Sequence, residues 1–124
     1  MELTEHVTIK RKLAEGICQR MIEEINKLGL NVNEVPQYPN YDDASFVLIK
    51  DPYTGQQNLA CYWYDPSNRQ RIGRLQFNSD ETFYAEYDVA KVHPKKALWF
   101  IEAITAWGNA DNIKAEAKLL PMST

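Results

Sequence analysis

From Leu13 onward, apolar residues recur three and four positions apart: Ala14, Ile17, Cys18, Met21, Ile25 and Leu28. Side chains at that spacing share one side of an α-helix. Lys10, Arg11, Lys12, Arg20, Glu23 and Lys27 mostly fall elsewhere, so the pattern predicts an amphipathic helix starting between Thr4 and Thr8. Gly29 suits the left-handed residue that follows a helix end, and Leu30 can supply the apolar contact that accompanies such a cap.

Residues 31 to 44 then carry Pro36, Tyr38, Pro39, Tyr41 and the pair Asp42-Asp43 without helical or strand period, a connection at the long end of ordinary loops. Four runs rich in β-branched and aromatic residues follow, at Ser45 to Lys50, Leu59 to Tyr64, Arg71 to Phe77 and Thr82 to Val89. Turn chemistry separates them. Asp51-Pro52-Tyr53-Thr54-Gly55 and Asp65-Pro66-Ser67-Asn68 place proline where a type I turn wants its fixed φ, and Asn78-Ser79-Asp80 closes the third connection. The simplest topology is a sequential antiparallel meander.

Alternation also sets a register. Pairing Phe77 with Phe83 puts Leu75 opposite Ala85, Gly73 opposite Tyr87 and Arg74 opposite Glu86. Leu75, Phe77, Phe83, Ala85, Tyr87 and Val89 then share the inner face, where Tyr87 can cover the bare backbone of Gly73. Polarity turns Leu59, Cys61 and Trp63 inward as well, leaving Tyr62, Tyr64 and Tyr84 on the open face.

The last part of the chain predicts a second helix, opened at His93-Pro94, closed by Gly108 and carrying Ala97, Phe100, Ile101, Ile104 and Trp107 on its core stripe. At about 100° per residue, Trp99 projects beside Lys95, Glu102 and Ala106, almost opposite Ile104, with Leu98 at the stripe's margin. That leaves more apolar surface than a two-layer domain needs. A final strand runs from Asn112 to Leu120, where Ile113, Ala115, Ala117 and Leu119 alternate with Lys114, Glu116 and Lys118. The expected fold is therefore α+β, one domain over residues 1 to 124: a two-layer sandwich of order αββββαβ, its mostly antiparallel sheet bearing two helices on one face.

Composition narrows the functional classes. Hydrophobic residues at 44% and charged residues at 25% are ordinary for a globular chain, and a net charge of −3 disfavours a generic polyanion binder. Met1-Glu2-Leu3-Thr4-Glu5 lacks the basic start of a signal peptide, and the apolar run Ala97 to Ile101 is too short to span a bilayer, so a cytoplasmic location with no membrane partner is expected. Cys18 and Cys61 lack CxxC spacing and read as buried thiols.

His6 and His93 are the two histidines, and no HExxH, CxxC or calcium-loop pattern accompanies them, so neither a metal nor a cofactor is expected. His93 is accounted for by its place before a helix-starting proline. No glycine-rich phosphate loop or GxSxG occurs, and Asp42-Asp43 beside Tyr41 are the remaining acid/base candidates. Tyr62, Trp63 and Tyr64 with Arg69, Arg71 and Arg74 resemble a base-stacking platform in composition, but Glu86 opposes Arg74 and nucleic acid is disfavoured.

The leading functional expectation is a non-catalytic protein-binding or adaptor module, self-associating as a homodimer. It would use Trp99 and Leu98 on the second helix, an exposed sheet edge, or Tyr62, Tyr64 and Tyr84 on the open face. The alternative is a small-molecule-binding protein or minor enzyme with a pocket between loop 31 to 44 and the sheet, lined by Tyr38, Tyr41, Asp42, Asp43 and His93.

Overall fold

A computed structural model describes residues 2–27, 38–92 and 99–121, and among these the side chains of residues 90–102 and 118–121 lie outside the description. The helix read from the first apolar stripe is α1, Leu3–Lys27. Ala14, Ile17, Cys18, Met21 and Ile25 are all buried along it, and Arg11 and Glu15 close an i,i+4 ion pair at 2.9 Å on its exposed side. The proposed cap at Gly29 and Leu30 lies outside the described residues.

A single turn of 3₁₀ helix at Tyr41–Asp43 leads into six strands: β1 Ser45–Lys50, β2 Gln57–Tyr64, β3 Arg71–Phe77, β4 Phe83–Val92, β5 Trp99–Asn109 and β6 Asn112–Pro121. They form one sheet in sequential order, every neighbouring pair antiparallel. The β3–β4 register is the one that alternation implies, with Phe77 paired to Phe83, Leu75 to Ala85, Arg74 to Glu86 and Gly73 to Tyr87.

The architecture is α+β, but the order αββββαβ and the second helix are not what the chain adopts. Residues 99–109 form β5, hydrogen-bonded between β4 and β6. Two features explain the difference. Trp99, Phe100, Ile101, Ile104, Thr105 and Trp107 are β-branched or aromatic, and such residues favour a pleated surface over a helix. The connection to β6 is also just Ala110-Asp111, with Asn109 paired to Asn112, a span that joins two antiparallel strands tightly. Asn109 Oδ1 accepts from the Asp111 and Asn112 N–H groups at 2.9 and 3.1 Å. Gly108, read as a helix stop, sits beside this hairpin at φ 128°.

The helical stripe consequently comes apart. Ile104 is buried beneath α1, whereas Trp107, three residues on, occupies the opposite face of the sheet. Trp99 is a strand residue whose backbone pairs with Val92, so the argument from a helix's outer side no longer applies to it. Leu98, His93 and the His93-Pro94 start lie outside the described residues. The final strand falls where alternation put it.

One face of the sheet is the core. Leu59, Cys61 and Trp63 of β2, Leu75 and Phe77 of β3, Phe83, Ala85, Tyr87 and Val89 of β4, and Ile104 and Ala106 of β5 are buried there against the α1 stripe. Trp63 and Tyr87 meet edge to face, ring centroids 6.0 Å apart, over Gly73. A Cβ at Gly73 would lie 2.5 Å from Tyr87 Cδ2 and 3.2 Å from Trp63 Cε3, so the two rings need a residue with no side chain between them. The Trp63 indole N–H donates to Asn40 O at 2.8 Å, which ties the segment before β1 to the core.

The loops on either side of β2 are built alike. Asp51 N–H donates to Gln56 O and accepts through its carbonyl from Gly55 N–H; Asp65 does the same with Gln70 and Arg69. In each, the aspartate carboxylate accepts from the N–H two residues on, at Tyr53 and at Ser67, both 2.8 Å. The Tyr53 N–H holds Asp51 below the usual carboxylate range, and the Ser67 hydroxyl and N–H do so for Asp65. The penultimate residue is left-handed in both, Gly55 at φ 75° and Arg69 at φ 59°.

Candidate functional site

The sheet's other face carries no described helix. Among the described elements α1 alone packs across the strands, and it touches β1, β2, β5 and β6 from the core side. Strand alternation therefore turns a second set of side chains to this face, of which Ala60 is buried and the others are half-buried or exposed. One cross-strand row runs Val47, Ala60, Gln76, Tyr84, Trp107, Lys114, and the adjacent row Ser45, Tyr62, Arg74, Glu86, Thr105, Glu116. Ile49 and Tyr64 extend the two ends.

These aromatics remain substantially open to water. Tyr64 is 43% exposed, Tyr84 38% and the aliphatic Val47 37%, while Tyr62 and Trp107 are half-buried. Tyr84 and Trp107 are direct cross-strand neighbours, and Tyr62 and Tyr64 pack with ring centroids 6.4 Å apart. Arginines overlie two of the rings: the Arg71 guanidinium stands 5.0 Å from the Tyr62 centroid and that of Arg74 5.6 Å from Tyr84. Arg74 Nε also lies 2.8 Å from Glu86 Oε1, so its charge is answered within the face. Arg71 makes no ion pair among the described residues.

This arrangement separates the sequence candidates. It brings Tyr62, Tyr64 and Tyr84 onto one surface and adds Trp107, which the helical reading had assigned to the core. The signal that could have found Trp107 was the two-residue hairpin at Ala110-Asp111, because a strand through 107 alternates out of phase with Ile104. The stacking trio does not hold together: Trp63 is fully buried on the core face, and Glu86 and Asp88 share the open face with the arginines. Phosphate would meet carboxylates there as well as cations.

Of the pocket candidates, Tyr41, Asp42 and Asp43 form the 3₁₀ turn beside α1, where they line an open cleft of about 550 Å³ with Arg11, Glu15 and Gln19. Asp42 and Asp43 are both exposed, and Arg11 covers the Tyr41 ring at 5.4 Å from its centroid. Burial raises the Tyr41 hydroxyl above its ordinary value. Tyr38 is turned to the core edge, and His93 lies outside the described residues. Cys18, at the floor of this cleft, is buried, and loss of water around it pushes its thiol up to about 12, so it is protonated and a poor nucleophile at neutral pH. Burial likewise raises Cys61.

Among the described residues no group of three metal-ligating side chains assembles, and no helix is long and apolar enough to cross a membrane. Comparison of the chain with protein-family models, with curated proteins and with solved structures gave no match, so the open face and the cleft stand on their own geometry.

Proposed function

We propose that this chain is a non-catalytic protein-binding module whose docking surface is the open face of the sheet. The observation that carries the reading is the division of one sheet into a face buried under α1 and a face where Tyr64 and Tyr84 are exposed and Tyr62 and Trp107 half-buried beside Val47 and Ile49. Tyrosine and tryptophan are the residues that most often dominate binding energy, because each buries a large rigid surface at small entropic cost. The partner is a protein surface that lays apolar side chains on these rings and offers a carboxylate to Arg71, whose guanidinium is presented flat above Tyr62.

Support also comes from what the cleft lacks. Its carboxylates are solvated, its thiol is protonated, and its walls open to solvent, so nothing there concentrates reactivity.

The test uses the immobilised protein and a lysate of its source organism. Tyr84→Ser and Arg71→Ala, each verified as folded by circular dichroism, should lose a captured protein about 10-fold or more relative to wild type. Asp42→Asn/Asp43→Asn should retain it. A partner held equally by the face variants and lost by the cleft variant would reverse the assignment.

A further inference from the structure

We infer that the outer edge of β1, which no described strand pairs, is a self-association site, at which β1 of a second copy pairs antiparallel across a two-fold axis passing through Val47. The docking reading above does not require this, and the inference rests on a different part of the molecule.

Among the described residues the sheet has two edges, β1 and β6. Edge strands expose unpaired N–H and C=O groups, and proteins that stay monomeric blunt them with charge, proline or bulges. β6 follows that rule, since Lys114, Glu116 and Lys118 alternate along it and Pro121 ends it. β1 does not. Its sequence, Ser-Phe-Val-Leu-Ile-Lys, has no proline and no charge before Lys50, and its pairing with β2 shows no bulge.

The hydrogen-bond phase of that edge is fixed by the neighbouring loop. Asp51 turns both its backbone groups toward β2, bonding Gln56 and Gly55. In an antiparallel ladder the direction alternates, so Ser45, Val47 and Ile49 bond β2 while Phe46, Leu48 and Lys50 direct their N–H and C=O outward. A two-fold axis perpendicular to the sheet pairs residues that lie on the same face, which restricts the register to a few choices.

The register centred on Val47 suits the sequence best. Phe46 of each copy exchanges both backbone bonds with Leu48 of the other, placing apolar against apolar on the helix side. Val47 meets its own symmetry mate on the open side. Lys50, the one charged residue of β1, comes opposite Ala44, whose extended backbone continues the strand. That position is next to the exposed carboxylates of Asp42 and Asp43 in the other copy, so the ends of the new ladder are matched in charge. The product is a continuous sheet with both helices on one side and both aromatic faces on the other.

The register supplies its own test. Val47 would be a non-hydrogen-bonded pair, with Cα atoms about 4.5 Å apart, inside the span a disulfide bridges. Light scattering of the isolated wild type should give twice the 14.4 kDa chain mass. Val47→Lys and Val47→Glu should each give a folded single chain, because like charges face each other at the axis, and an equal mixture of the two should restore the double mass. Val47→Cys should cross-link on mild oxidation. Ser45→Cys, which faces Ile49 of the other copy, should not, and neither should wild type, whose two cysteines are buried.

A wild type of single-chain mass at all concentrations overturns the inference. So does a double mass that Val47→Lys leaves intact, or a Val47→Cys protein that stays unlinked. Tyr84→Ser and Arg71→Ala should keep the double mass while losing the captured partner, so failure of the docking reading and failure of this one give different results.

Discussion

The two faces of the sheet are made by the same strands and serve different ends. On β2, Leu59, Cys61 and Trp63 disappear beneath α1, while one position out of phase Tyr64 is exposed and Tyr62 half-buried. The covered face has the chemistry of a core: close packing, a glycine where two rings meet, and an indole N–H satisfied by a carbonyl. The open face has comparable aromatic content but two arginines over its rings, Arg74 ion-paired to Glu86 and Arg71 without an ion pair among the described residues, and no described element above it. The comparison teaches that aromatic residues in a strand have two physical roles, distinguished by phase rather than by type, and that the roles should separate under mutation.

The largest effect is expected on the covered face. Trp63→Ala removes a fully buried ring together with the bond to Asn40, and should cost about 3–5 kcal/mol of folding free energy in urea denaturation. A cost below about 1 kcal/mol would show that the two rings over Gly73 are not a packed unit. Gly73→Ala comes next, at about 1–3 kcal/mol, because the added methyl meets Tyr87 and Trp63 at once. If Gly73→Ala is neutral, the Tyr87 ring is free to move away, and the covered face is looser than its contacts indicate.

The paired loops around β2 sharpen the scale. They share one hydrogen-bond pattern and one left-handed position, filled by Gly55 in the first and Arg69 in the second. Gly55→Ala should destabilise by roughly 1 kcal/mol and Arg69→Gly should stabilise by less than about 1 kcal/mol, since a side chain is strained there and glycine is not. Equal responses of the same sign would mean that the loops differ more than their bonds suggest. Smallest of all, Tyr84→Ser on the open face should shift folding free energy by about 0.5 kcal/mol while abolishing partner capture. A large loss of stability there would make the open face a second core.

Much of this was legible in the chain. The α1 stripe and the β3–β4 register follow from periods that just one secondary structure satisfies, and the facing of β2 follows from polarity. A helix is readable from Ala97 to Gly108 because the run fits two periods at once: a central strand can be apolar on both sides, and such a run projects a helical stripe as well. Pro94 and Gly108 then read as helix punctuation, although a left-handed glycine serves a hairpin equally well. The local cue that outweighed them was the short Ala110-Asp111 connection, which leaves a strand no distance to travel before its partner. Of the candidate site, Tyr62, Tyr64 and Tyr84 could be placed by alternation, whereas Trp107 could join them only once β5 was known to be a strand.

The contrast between the faces can be read directly by hydroxyl-radical footprinting of the aromatic side chains, free and in complex with the captured partner. The account predicts that Tyr64 and Tyr84 are modified readily in the free protein and become protected in the complex, with Trp63 and Tyr87 protected in both states. Tyr64 and Tyr84 modified equally with and without the partner would contradict it.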